Sequence, residues 1–375
     1  MASSVVFLVF GGNFEISTSI LANLQSPAYE DSFPYDAYDE VCPEHTPDDF
    51  PAYVLGSYFL PANDMTAIKQ CIMEFGAIGA SMCYDNAYLI GDVYKYTGND
   101  ATNHAISLIG WDDDDRVFLA KFNWGPDYFK NGVLKISYDD KYIATECYAF
   151  TDRVEKTDVK NAYYYDRSGY TAKSTWSAGT KVSALSYFTP KGKELLTYVG
   201  TYVGNDTPEI TFTVMVGTEV PFVKTIKCPY IGFYSVKLDN PVMVDNTFIV
   251  AVDYANVLPL ETKSDNYNDP VFIPVGKQYI QVNEKKEIAV GSDSSNPNYR
   301  DVNLCIKAYT TDVTTEAEDT NEPANEPESV DVYNTDGRFI KNLRSKNEFL
   351  SKGLFIFVEH FSDNTKTKGY LEFRP

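Results

Sequence analysis

Asn103-His104-Ala105, Gly110-Trp111-Asp112-Asp113 and Asn123-Trp124-Gly125 carry the side chains best suited to chemistry in this chain. Histidine changes charge near neutral pH and can move a proton between reacting groups. Of the three histidines, His45 and His360 sit in no pattern and read as surface residues. His104 alone would read as a satisfied core histidine, and its flanking residues argue for more. The cysteines Cys42, Cys71, Cys83, Cys147, Cys228 and Cys305 are scattered, with no C-x-x-C pair and no histidine at ligand spacing. A metal site is therefore not expected. Most read as buried free thiols acting as small hydrophobes, with disulfides left open for an exported chain. The run Asp112 to Asp115 lacks the spaced ligands and glycine of a calcium loop and reads as a solvated hairpin turn. No cofactor is expected.

In order and spacing these segments resemble the papain-type cysteine peptidases. Asn103-His104-Ala105-Ile106-Ser107-Leu108-Ile109-Gly110-Trp111-Asp112 is similar to the family's histidine segment, N-H-A-V-x-x-V-G-Y/W-D. Lys121-Phe122-Asn123-Trp124-Gly125, followed by Asn131-Gly132-Val133-Leu134-Lys135-Ile136-Ser137-Tyr138, resembles its asparagine segment. Gly11-Gly12-Asn13-Phe14-Glu15 is similar to a stretch after the nucleophile helix in a bacterial branch, and Gly76 to Met82 to the strand of the substrate-pocket wall. Such peptidases hydrolyse peptide bonds with a thiolate held by a helix N-terminus and an imidazolium. The histidine shuttles the proton and an Asn amide fixes its ring. The resemblance implies that His104 is the base and Asn123 its orienting amide, with peptides or proteins as substrate.

Two departures qualify this. The chain starts just before Gly11-Gly12, so no residue is expected to supply the nucleophile or the upstream oxyanion Gln. Cys42 precedes Pro43 in an acidic loop, Cys71 lies within a helix and Cys83 follows the pocket wall, so none stands in the nucleophile's place. Aligning on Trp124-Gly125 also puts Phe122 at the Asn position and Asn123 one residue late. Successive strand side chains point to opposite faces, so this shift turns the amide away from His104 unless a bulge restores it. The missing helix would bury about five apolar side chains, roughly 7–15 kcal/mol, against a typical domain stability of ~5–15 kcal/mol. Residues 1–152 are thus expected to be loosely folded without a completing segment.

The elements that must position these residues follow from periodicity. Phe14 to Leu24 and Met65 to Phe75 carry helical apolar spacing. Ile106–Trp111, Val117–Phe122 and Val133–Tyr138 read as strands separated by Asp-Asp or Asn-Gly turns. From 160 to 313 short alternating runs, among them Thr211–Val216, Tyr234–Leu238 and Phe248–Val252, suggest a β-sandwich. Turn clusters at Pro190-Lys191-Gly192 and Gly204-Asn205-Asp206 separate such runs. Thr314 to Ser329, with six acidic residues, two prolines and no Lys or Arg, reads as a linker. Val330–Tyr333, an Asp336-Gly337 turn and Arg338–Ile340 suggest a hairpin, with a further strand at Leu354–Val358.

The expected fold is an α+β papain-like remnant, mostly its β-rich lobe, over 1–152. An all-β sandwich over 153–313, a linker over 314–329 and a small C-terminal β-domain over 330–375 follow. Asn161–Asp166, Gly232–Val236, Phe248–Val250 and Cys305–Thr310 resemble the lectin-like domain of bacterial surface members of this peptidase group. Fold alone does not establish sugar binding. Trp176 could stack on a sugar ring, although a core or inter-domain place suits it better. The terminal unit is similar to Bacteroidetes-type C-terminal sorting domains. Together these resemblances imply a secreted or cell-surface protein.

Composition limits the partners. The 375 residues carry 53 acidic and 32 basic side chains, a net charge of −21 that repels polyphosphate, so nucleic acid is not expected. No stretch approaches the ~18 apolar residues of a membrane span, and Val5–Phe10 has no basic residue before it and does not make a signal peptide. Three readings stand: a peptidase homologue inactive as this chain, a cell-surface binding or adhesion protein using its lectin-like domain, and a truncated gene model of an active secreted peptidase.

Overall fold

The computed structural model describes residues 12–27, 51–204, 208–264, 270–283, 287–313, 329–333, 339–344, 353–360 and 367–374. The sequence-based expectations for Val5–Phe10, Gly11, Cys42, His45, Asn205-Asp206, 314–328 and the Asp336-Gly337 turn lie outside the described residues. The chain forms two compact units, Met1–Val313 and Thr314–Pro375.

Both expected helices are present. Helix α1 spans Phe14–Ala22. It starts where the Asn13 side-chain oxygen accepts the Ile16 amide at 2.8 Å, satisfying a donor that the first turn would leave orphaned. Helix α2 spans Met65–Phe75, capped by Asp64 through the Thr66 and Ala67 amides and ended by Gly76 at φ +83°. Its buried residues Ala67, Ile68, Cys71 and Ile72 form one stripe at helical spacing.

The strands of the first half are β1 Tyr53–Phe59, β2 Ile78–Met82, β3 Leu89–Ile90, β4 Val93–Tyr94, β5 His104–Asp112, β6 Val117–Lys121, β7 Val133–Ser137 and β8 Cys147–Val154. Those of the second half are β9 Asn161–Tyr163, β10 Ala172–Thr175, β11 Val182–Phe188, β12 Glu194–Val203, β13 Glu209–Val216, β14 Glu219–Lys227, β15 Ile231–Val244, β16 Phe248–Tyr254, β17 Val257–Glu261, β18 Gln278–Val282, β19 Ile288–Val290, β20 Asn303–Leu304 and β21 Ile306–Asp312.

One twelve-stranded sheet, ordered β3-β4-β7-β6-β5-β2-β8-β1-β15-β12-β21-β9, runs through both halves. The seam is the β1–β15 ladder, where Ser57 faces Phe233 and Tyr58 faces Gly232. A Cβ at Gly232 would stand 1.9 Å from the Ser57 carbonyl oxygen, so only glycine lets the backbones close here. A six-stranded sheet, β14-β13-β16-β11-β18-β19, completes the expected sandwich. Val182 and Val250 from it share a core with Val199, Val236 and Ile306 of the long sheet.

The first half has its own core around Ile68, Ile72, Ile78, Leu108, Phe118 and Ile136. A third cluster, with Ala22, Leu55, Val154, Tyr202, Phe233 and Tyr309, straddles the seam. The second unit is a four-stranded sheet of β22 Ser329–Tyr333, β23 Phe339–Leu343, β24 Gly353–His360 and β25 Thr367–Arg374, ordered β23-β22-β24-β25. Val330, Val332 and Leu343 are buried in it.

Candidate active site

His104 is the first residue of β5 and pairs with Met82 across β2. The preceding Asn103 fixes the strand's entry. Its amide donates to the Met82 carbonyl at 3.0 Å. Its side-chain oxygen accepts the Tyr84 amide at 2.7 Å, and its side-chain nitrogen donates to the Tyr84 carbonyl at 3.1 Å. Alternation along β5 puts His104 on the face of Ile106 and Leu108, which are buried.

Aromatic rings surround the imidazole. Phe122 lies 5.2 Å from it and Trp124 5.1 Å, tilted by 34° and 33°. Tyr84 meets the Trp124 ring edge-on at 4.9 Å, and Phe129 closes on Phe122 at 5.0 Å. Phe122 is only 2% exposed. Its amide donates to the Gly132 carbonyl at 2.9 Å, which holds it in the loop after β6. Asn123 is exposed and makes no hydrogen bond among the described residues. The register shift between β5 and β6 falls at Leu108/Gly110, in the body of the ladder.

The consequence is electrostatic. Among the described residues Nε2 of His104 is buried and has no hydrogen-bond partner. Burial without a counter-charge lowers the imidazole's pKa below the ordinary histidine value. A buried N–H without an acceptor is strongly disfavoured. A neutral ring with its proton on Nδ1 avoids that cost, and Nδ1 is the nitrogen that a base would need free. An acceptor at Nε2 would reverse this, because the orienting partner of a catalytic histidine selects its tautomer.

The remaining matched segments have structural work. Phe14 stacks on Tyr148 at 4.4 Å and lies over Gly79, where a Cβ would stand 2.3 Å from the Phe14 ring. Glu15 accepts from the Tyr148 hydroxyl at 3.0 Å. The helix-opening motif and the expected pocket-wall strand are thus docked on one another. The acidic run is a turn: Asp112 Oδ1 accepts the Asp114 and Asp115 amides at 3.0 and 3.1 Å. Lys69 of α2 reaches Asp113 at 2.5 Å and lies over Trp111. Among the described residues no group of three or more His, Cys, Asp or Glu is placed to hold a metal.

All five described cysteines are buried and unbridged. Burial pushes Cys71 up to about 11, and Cys147 and Cys228 to about 12. Cys83 lies in the core against Tyr96. Trp176 is half-buried against the sandwich core, so its aromatic surface serves packing first.

A charged cluster at the seam was not singled out from the sequence. Lys307 and Asp166 are fully buried and meet at 2.8 Å. Lys307 also donates to Asn23 Oδ1 at 2.8 Å, at the end of α1. Tyr309 donates to the Ala22 carbonyl at 2.7 Å. Because β21 is buried on both faces, polar–apolar alternation gave no signal that Lys307 points inward.

Comparison with known proteins agrees with this architecture. Residues 11–154 match the papain family cysteine protease model, and residues 162–310 match the lectin like domain model. Human (Homo sapiens) cathepsin L2 is 26% identical over 123 residues, covering 29% of this chain and 36% of the relative. Macrodontain-1 of Ananas macrodontes is 25% identical over 122 residues, covering 32% and 55%. The chain thus spans roughly a third to a half of these curated relatives. The clostridial cysteine protease Cwp84 after propeptide cleavage superposes with a TM-score of 0.66 at 20% identity, covering 80% of this chain and 82% of that one. The protease and lectin-like domains of Cwp84, described as a surface layer associated protein of Clostridium difficile, give 0.64 at 19%, covering 78% and 72%. Residues 11–154 therefore belong to the papain family of cysteine proteases, joined through a continuous sheet to a lectin-like domain over residues 162–310.

Proposed function

We propose that this chain is a papain-type cysteine peptidase homologue that keeps the histidine of a Cys-His-Asn site, His104, and hydrolyses no peptide bond as this chain. One observation carries the reading: Nε2 of His104 is buried, the ring lies beside Phe122, and no acceptor meets that nitrogen among the described residues. Asn123, the sequence-based candidate for that acceptor, is exposed. A neutral ring with its proton on Nδ1 cannot take one from a thiol at that nitrogen. Among the described cysteines, burial keeps Cys71, Cys147, Cys228 and Cys305 protonated at neutral pH. A thiol presented to His104 at a helix N-terminus would still lack an oriented base, and peptides or proteins would be the substrate of a site so completed.

A thiol-directed epoxide probe tests this. No labelling of the recombinant chain is expected, and stoichiometric labelling of any cysteine would overturn the inactivity.

A second reading, a surface binding protein that uses its lectin-like domain, is favoured by the open aromatic cavity in the sandwich. In both readings the chain works outside the cell or at its surface, a reading in keeping with a structural neighbour described as surface layer associated. We divide it at 1–152, 153–313, 314–329 and 330–375, the first boundary falling inside β8. The last unit is assigned to export or attachment. Secretion of the chain unchanged after deletion of 330–375 would remove that assignment.

A further inference from the structure

The sandwich holds a cavity of about 590 Å³ unconnected with His104, between β9, the end of β11 and the 271–277 segment. Tyr163, Tyr164 and Tyr165 line it together with Arg167, Lys191 and Lys277. We propose that this cavity is a binding site for an anionic saccharide, its rings seated on Tyr163 and Tyr165 and its acid groups met by the three cations.

The walls are fixed. Asn303, fully buried, donates to the Tyr165 and Val271 carbonyls at 3.1 Å each and to Glu261 at 2.7 Å, tying two sides of the cavity together. The Tyr163 hydroxyl is held by Glu194 at 2.8 Å and that of Tyr165 by the Tyr187 carbonyl. With both hydroxyls engaged, these side chains offer ring surface rather than polar groups. Tyr165 is further locked by stacking on Phe188 at 5.3 Å. Rigid aromatic surface suits the apolar face of a sugar ring.

Each cationic residue is anchored by its backbone and free at its side chain. The Arg167 amide donates to Glu261 at 2.8 Å, the Lys191 amide to the Tyr163 hydroxyl at 3.0 Å, and the Lys277 carbonyl accepts from the Tyr187 amide at 2.8 Å. All three side chains are exposed and have no ion pair or side-chain hydrogen bond among the described residues. Elsewhere many cations are paired, as in Lys69–Asp113, Lys135–Asp115 and Lys237–Asp158. In a chain with 53 acidic against 32 basic residues, these three cations, unpaired among the described residues, gather around one aromatic cavity. Such a site selects for negative charge on the ligand and steers it in.

The inference rests on reading the sandwich as a saccharide-binding domain, and calorimetry on the full chain separates the two. The probes are an oligogalacturonate, its methyl-esterified neutral form and a phosphorylated oligomannose. The acidic probes are expected to bind at least roughly tenfold more tightly than the neutral ester, and more weakly as salt rises. Whichever acidic probe binds more tightly identifies carboxylate or phosphate as the preferred group. Arg167→Gln, Lys191→Gln and Lys277→Gln should each weaken binding by up to about fivefold, and together by up to roughly a hundredfold, with an unchanged melting temperature. Equal binding of ester and acid, or a triple variant that binds as well as the parent, overturns the anionic site and leaves the saccharide reading. Failure of all three probes to bind at millimolar concentration overturns both.

Discussion

His104 and Lys307 are both ionisable groups drawn out of water, and the molecule treats them in opposite ways. Lys307 is fully buried, yet its ammonium meets Asp166, the Asp166 carbonyl and Asn23, with the Tyr164 ring 4.5 Å away. His104 is only partly buried and lies beside the Phe122 ring, yet its Nε2 has no partner among the described residues. The fold supplies partners where a charge joins its two halves. At His104 the neighbours are the Phe122 and Trp124 rings, and among the described residues no polar group meets Nε2.

The largest expected effect comes from breaking the satisfied region. Lys307→Met would leave Asp166 buried without its cation, a loss of roughly 3–5 kcal/mol read as a lower denaturant midpoint. Adding Asp166→Asn should return part of it. If Lys307→Met alone costs nothing measurable, the cluster does not hold the halves together.

A somewhat smaller effect is expected at the seam. Gly232→Ala forces a Cβ against the Ser57 carbonyl and should destabilise by about 2–3 kcal/mol. Freed from β15, residues 12–154 expressed alone should melt broadly, because β1 loses its outer partner and the seam core is halved. A sharp cooperative transition of that segment would show that the papain-type half stands alone.

The two regions should also respond to pH with opposite sign. Burial pushes Asp166 up to about 7, with Lys307 opposing and Glu261 reinforcing. A raised carboxyl stabilises the fold below the ordinary carboxylate range, and that contribution is lost as pH rises through about 7. His104 is lowered by burial, so its contribution is present above the ordinary histidine value and lost as pH falls through its folded value. Asp166→Asn should remove the decline with rising pH, and His104→Gln the decline with falling pH, in denaturant midpoints measured across the acid-to-neutral range. If neither variant changes the profile, the pH dependence lies elsewhere.

Much of this contrast was legible in the sequence, but unevenly. Helical spacing gave Phe14–Ala22 and Met65–Phe75 within two residues at their ends, and alternation gave the strands around His104. The one-residue offset at Phe122-Asn123 was visible in the sequence, and Phe122, in the loop after β6, is the ring beside the imidazole. The joined sheet was hidden, since nothing local in Ser57 or Phe233 announces a partner 176 residues away. Lys307 was hidden too: in a strand buried on both faces, a lysine breaks no pattern that a reader could test.

Nitrogen-15 NMR of the His104 ring across a pH titration reads the position of its proton. A pKa below the ordinary histidine value and a neutral ring with its proton on Nδ1 are expected. Phe122→Asn, which offers Nε2 an acceptor, should move the pKa upward and the proton to Nε2. A parent ring already protonated on Nε2, with a pKa at or above the ordinary value, would overturn this and restore His104 as an oriented base.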